Sequence, residues 1–274
     1  MQKDQTDQPQ ITRNSNHARK LERKMKTQAD KLITIIFALL LIGCNTHLFT
    51  NQFPAALIYD QQLTADGQWW RILTYPLVHL GWYHLLLDVS AVVFLWREVE
   101  EIGLFYKLGL CSICSVTSLA ACIAWSPQLA STGLCGLSGI AHGLAVFVSL
   151  NWIHQAHSKR AKGATTWRSY LPGTLLFHCL IVKSAYELFT AQIFFASIHP
   201  GYLGTPLVHS HIGGVLGGVL AMMLWHGKHH FAKTKNYRKQ KDSRQSAGKV
   251  KIMSKSFKNS KARALQAASV FITK

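Results

Sequence analysis

A serine set among glycines opens one apolar run of this 274-residue chain: Gly133-Leu134-Cys135-Gly136-Leu137-Ser138-Gly139-Ile140-Ala141-His142-Gly143, continuing to about Trp152. A serine hydroxyl is a weak nucleophile until an adjacent base takes its proton, and histidine is the side chain best suited to that task. Imidazoles stand in two other apolar neighbourhoods, His79 and His84 with Asp88 upstream, and His209 and His211 downstream. Ser138 with one of them would have the minimum equipment for acyl transfer. The plainer alternative is a packing serine in a glycine-rich helix. Each glycine costs a helix about 1 kcal/mol relative to alanine. That cost is offset in membranes where small residues let two backbones approach.

The elements that must position these groups follow from charge and hydropathy. Residues 1–31 carry 8 Lys/Arg against 4 Asp/Glu, residues 32–226 carry 8 against 7, and residues 227–274 carry 14 against 1. A nearly neutral apolar middle between two basic tails is the pattern of a membrane protein. We expect an all-α membrane domain over 32–226, a basic disordered cytoplasmic tail over 1–31, and a second, mostly disordered basic tail over 227–274. Six spanning runs lie at about Leu32–Phe49, Trp82–Trp96, Leu104–Trp125, Gly136–Ile153, Gly173–Ile198 and Leu207–His226. His199-Pro200-Gly201 reads as a turn, and Trp69-Trp70-Arg71 as an interfacial segment. Assigning the loops in alternation puts 28 of the 30 Lys/Arg on one face. By the positive-inside rule that face and both termini are cytoplasmic.

This orientation starts spans two, four and six at the outer face. His79, His84 and Asp88, then Ser138, then His209 and His211 fall at one depth. Ionisable groups inside a membrane are costly and mark functional sites. Gly139 and Gly143 on span four, and the overlapping pairs Gly213/Gly217 and Gly214/Gly218 on span six, are small-xxx-small spacings that would bring Ser138 and His211 together.

Gly136-Leu137-Ser138-Gly139, His211 followed by Gly213-Gly214, and the upstream His79…His84 resemble a rhomboid intramembrane serine protease, over roughly residues 68–226 including Trp70-Arg71. Within that superfamily the chain is most similar to the rhombosortases. The stretches concerned are Arg71-Ile72-Leu73-Thr74, His79-Leu80-Gly81-Trp82-Tyr83-His84-Leu85-Leu86-Leu87, Gly136 through Gly143, and Lys183…Tyr186-Glu187. The resemblance implies a six-helix bundle and a Ser138–His211 dyad, with no third carboxylate required. It implies an oxyanion held by the Ser138 N–H and His84, with a contribution from the position of Asp88. Its substrates would be membrane-anchored secreted proteins with a C-terminal sorting signal: a Gly-rich motif, one membrane helix and a basic end. Acyl-enzyme release by water or by an amine stays open. The implied location is a bacterial inner membrane with the site toward the periplasm. No metal or organic cofactor is implied. The partners would be such substrates and the bilayer, including anionic lipids through the basic tail, and no nucleic acid.

Rhomboids usually carry Asn where this chain has Asp88. Protonated, Asp88 would donate to the oxyanion; ionised, it would orient His84, four residues before it. The donor role is the expectation, because a charged carboxylate near a developing oxyanion opposes the transition state. His142, one turn after Ser138, is read as either supporting the serine from behind or packing, His79 as interfacial, and Lys183 with Glu187 as a mutually neutralising pair. The six cysteines are expected to be free, buried thiols. Two rivals stand beside the protease. One is an intramembrane metal site from His79, His84, His209 and His211, although no H-E-x-x-H is present. The other is a catalytically dead rhomboid that binds membrane clients.

Overall fold

The computed structural model describes residues 28, 31–99, 102–194 and 207–227. The chain divides into two compact units, Met1–Met222 and Met223–Lys274. All candidate residues lie in the first; of the second, residues 223–227 are described, as helix. Nearly all of both basic tails and the expected turn at His199-Pro200-Gly201 lie outside the described residues.

Six long helices organise the described residues: α1 (Lys31–Thr50), α2 (Trp82–Glu98), α3 (Leu104–Trp125), α4 (Ser138–Arg160), α5 (Leu171–Thr190) and α6 (209–227). No strand occurs among these residues, only an isolated bridge between Tyr59 and Leu134. By length and apolarity α1 and α3 can each cross a membrane, and Arg71–Leu77 with α2 forms a third candidate bent by 97°.

The helices differ in exposure for a physical reason. On α1 the side chains of Leu32, Ile35, Ile36, Leu39, Leu40 and Ile42 are exposed, which costs little when the surroundings are lipid. α4 is the reverse. An unbroken run from Leu144 to Ser149 is buried, so every face of the helix is covered. It packs against α2, α3 and α5.

The glycines explain how α6 joins this core. A Cβ on Gly214 would collide with the Gly139 carbonyl, and one on Gly218 with the Gly143 carbonyl. The 213/217 pair faces α3 instead, where a Cβ would collide with Thr117. The two overlapping spacings thus serve two different neighbours, and the fourth and sixth helices meet backbone to backbone.

Several boundaries differ from the sequence reading. α4 starts two residues later than expected, because Gly136 takes φ +104° and is not helical. It also runs about two turns further, through a polar stretch to Arg160. α5 ends early, at Ala191 with φ 53°. α1 is interrupted at 45–46. There Asn45 Nδ2 donates to Leu41 O at 2.8 Å and Leu77 O at 2.6 Å, while its Oδ1 accepts the His79 N–H at 2.8 Å.

The segment before α2 is held from inside. Arg71, 3% exposed, donates to the carbonyls of Ala55 (2.6 Å) and Ile58 (2.8 Å) and to Gln68 Oε1 (2.8 and 2.9 Å). Trp69 and Trp70 are exposed, whereas the arginine that follows them is a buried staple. All six cysteines are free; Cys114 and Cys122 are buried, whereas Cys179 is exposed, contrary to expectation.

Candidate active site

Ser138 is the first residue of α4. The loop leading to it is tied down residue by residue. Leu134 and Tyr59 exchange N–H···O bonds at 3.0 Å, and the Gly136 N–H donates to Tyr75 O at 3.1 Å. Gly136 then turns the chain with its positive φ, where a side chain is disfavoured. A Cβ there would also lie 2.8 Å from His84 Nε2 and 3.2 Å from Asp88 Oδ2. Glycine is therefore required twice over. The turn leaves the Ser138 N–H in the first turn of a 23-residue helix. Such N–H groups have no intrahelical acceptor and carry the positive end of the helix dipole.

His142 sits one turn on. Its Nδ1 donates to the Ser138 carbonyl at 2.7 Å. The His211 ring stacks on His142, centroids 4.1 Å apart and planes 12° from parallel. The preceding residue, Ser210, puts its carbonyl 3.0 Å from where a Gly139 Cβ would be. The start of α6 is thus laid along the first turn of α4, and His211 is brought over the turn that Ser138 opens.

His211 Nδ1 lies 2.8 Å from Glu187 Oε2. An ionised carboxylate only accepts, so Nδ1 carries the proton and Nε2 is left with a lone pair. Among the described hydrogen bonds none joins the Ser138 hydroxyl to Nε2. Contacts of this kind are often long before substrate binds and tighten with it. Glu187 is fully buried. Its Oε1 accepts from Lys183 Nζ at 2.6 Å and from the Phe194 N–H at 3.1 Å. The expected Lys183–Glu187 pair is present, but it is only half of what Glu187 does.

Asp88 stands on the other side of the serine loop. Its Oδ2 lies 3.3 Å from His84 Nε2 and 3.5 Å from His79 Nε2. His84 Nδ1 accepts the Leu80 N–H at 3.4 Å, so the His84 proton is on Nε2 and faces Asp88. Both contacts are ion-pair approaches rather than hydrogen bonds, and Asp88 Oδ2 and His79 Nε2 are buried without a hydrogen-bond partner. His79 is fully buried within the protein, its backbone N–H held by Asn45 and its carbonyl 2.8 Å from His47 Nε2.

The four histidines of the metal alternative do not converge. His79 and His84 face Asp88, His211 faces Glu187, and His209 Nδ1 lies 2.6 Å from Ser126 Oγ. A different trio, His142, Glu187 and His211, brings ligand atoms within 4.8 Å of one another. Two features oppose coordination there. Nearly parallel stacked rings direct their lone pairs side by side rather than at one point, and the Lys183 ammonium already occupies the carboxylate.

Glu187 is the residue that sequence reasoning passed over as part of the site. Its signal was a carboxylate inside an apolar run, which is costly unless used. Lys183 four residues away supplied a sufficient local reason and hid the second partner.

Compared with known protein families, the chain matches the Rhomboid domain over residues 66–228, more than half of its length. That stretch contains Asp88, Ser138, Glu187 and His211. No curated protein matches the chain.

Proposed function

The chain belongs to the rhomboid family of intramembrane serine proteases, which act on membrane proteins, and we propose that it is an active member of rhombosortase type. With its apolar helices it is an integral membrane protein. The observation that carries the reading of the site is the stacking of His211 on the helix turn that begins with Ser138.

In this reading Ser138 Oγ attacks the scissile carbonyl while His211 Nε2 takes its proton. The tetrahedral oxyanion forms at the N-terminus of α4, where the Ser138 N–H and the helix dipole stabilise it. His84 is the second donor. Its Nε2 stands 3.3 Å from Asp88 Oδ2 at rest and donates its proton to the oxyanion when substrate is bound. Collapse of the intermediate breaks the peptide bond, and His211 returns the proton to the leaving amine. Water or an amine then releases the acyl group from Ser138.

The substrates are secreted proteins carrying a C-terminal Gly-rich motif, one membrane helix and a basic end. The domain crosses the membrane six times with both termini cytoplasmic. The site faces the periplasmic side of a bacterial inner membrane, and the basic C-terminal tail lies on anionic lipid. The test is co-expression with a reporter bearing such a signal, followed by mass spectrometry of the new C-terminus. A shortened reporter that depends on Ser138 supports the reading, and an intact reporter together with an intact conventional rhomboid substrate sinks it. An added amine at the new terminus identifies transfer, and a free carboxylate identifies hydrolysis.

A further inference from the structure

We propose that Glu187 is the positioning residue of the base: its carboxylate holds His211 by Nδ1–H, in the tautomer that leaves Nε2 free to take the serine proton. This rests on the reading of Ser138 and His211 given above, and it extends a two-residue site to three elements, α4, α5 and α6.

The division of labour on the carboxylate carries the inference. Lys183 and the Phe194 N–H both bond Oε1, at 2.6 and 3.1 Å. Oε2 is given to His211, at 2.8 Å. A glutamate present only to neutralise Lys183 has no need to direct its second oxygen at the imidazole of another helix. Glu187 is also fully buried, so this direction is not a chance of surface geometry. On the opposite side, the His142 ring fixes the plane of His211 by stacking. One neighbour thus sets the plane and the other sets the rotation about χ2 and the tautomer. Together they leave the imidazole a single productive orientation.

Lys183 has two effects. It holds Glu187 in place, and its Nζ stands 3.4 Å from His211 Nδ1. The ion pair is close to neutral as seen by His211. Orientation is therefore its main contribution, and stabilisation of the imidazolium is small. The groups that bear on His211 are Glu187 and Lys183 on α5, His142 on α4 and, at longer range, Asp88 on α2.

The test is the rate at which an alkyl fluorophosphonate labels Ser138 in the purified full-length protein, followed from about pH 5 to 9, where an ordinary histidine titrates. The variants are Glu187→Gln and the double substitution Lys183→Met/Glu187→Gln. The double variant removes both buried charges together, so it keeps the comparison sound if the single variant leaves Lys183 unpaired and unfolds. We expect labelling to slow by about 100-fold or more in both, with the double variant unfolding at the wild-type temperature, as when other serine hydrolases lose the group that orients their histidine. In Glu187→Gln the acid limb of the rate profile also moves to lower pH, because Lys183 then opposes protonation of His211 without compensation. Labelling of both variants at the wild-type rate and pH profile would overturn the proposal while leaving the Ser138–His211 reading intact. Failure of the wild type itself to label at Ser138 would remove that reading, and this proposal with it.

Discussion

The imidazoles of His142 and His211 lie face to face, 4.1 Å apart, so the helix that presents the serine also carries the surface on which the base rests. His142 is itself held by its Nδ1–H to the Ser138 carbonyl. Replacing it with Ala frees the His211 ring on one face without touching a reacting atom. We expect His142→Ala to lower kcat by roughly tenfold, the loss of about 1.4 kcal/mol of orientation, with little change in KM. A steady-state assay on a detergent-solubilised membrane substrate separates the two constants. A rise in KM at constant kcat would show that His142 serves substrate binding instead.

Ser138→Ala and His211→Ala should each abolish proteolysis, to roughly the same residual level as the double variant, because groups that act as a unit are lost as a unit. His209→Ala should keep most activity, since its ring faces Ser126 and not the serine loop. Reporter processing in membranes, normalised to the amount of inserted protein, decides between them. An inactive His209 variant beside an active His211 variant would reverse the assignment of the base.

Seam glycines should be far less replaceable than exposed ones. Gly214→Val places atoms where the Gly139 carbonyl already is and should destabilise the bundle by about 1–3 kcal/mol or more, in the manner of core overpacking. Gly43→Ala meets nothing within 4 Å and should be neutral or slightly stabilising. Thermal unfolding in one detergent gives the comparison. Equal effects at the two positions would mean that α4 and α6 do not meet at their glycines.

A carboxylate at Asp88 that orients His84 leads to a graded expectation. Asn keeps an acceptor oxygen but loses the charge, so Asp88→Asn should reduce kcat/KM by about tenfold. Asp88→Ala should cost more, since it removes the carboxylate beside both imidazoles and leaves a cavity. Rates for both variants, measured on one substrate over a range of pH, provide the check. An Asn variant as active as wild type at neutral pH and more active at high pH would restore the protonated-donor role.

Much of this arrangement could be read from the chain because its causes are local. Leu104–Trp125 is bounded as its hydropathy predicts, since apolar length alone defines a span. Gly139/Gly143 and Gly214/Gly218 pointed to a close helix pair because only small residues permit one. What escaped was set by tertiary partners. The second ligand of Glu187 comes from a helix 24 positions away, and no spacing rule connects them. His79 was read as interfacial from its place at the start of a span, which says nothing of its tertiary neighbours. Its burial depends on Asn45 and His47, which arrive from α1. The surroundings of Asp88 depend on where the His79 and His84 rings stand, and no spacing rule places the first of them beside it.

Cys114 sits in the seam, fully buried, with its Sγ against Gly143 and its backbone against Gly217. A thiol in that place reacts only when the helices part. Cys179 is exposed and needs no parting of the helices to react. The chain therefore contains its own stopwatch and its own reference. The lag between alkylation of Cys179 and of Cys114 by one apolar maleimide measures how often the bundle breathes. Any client that must wedge between α4 and α6 to be cut will shorten that lag.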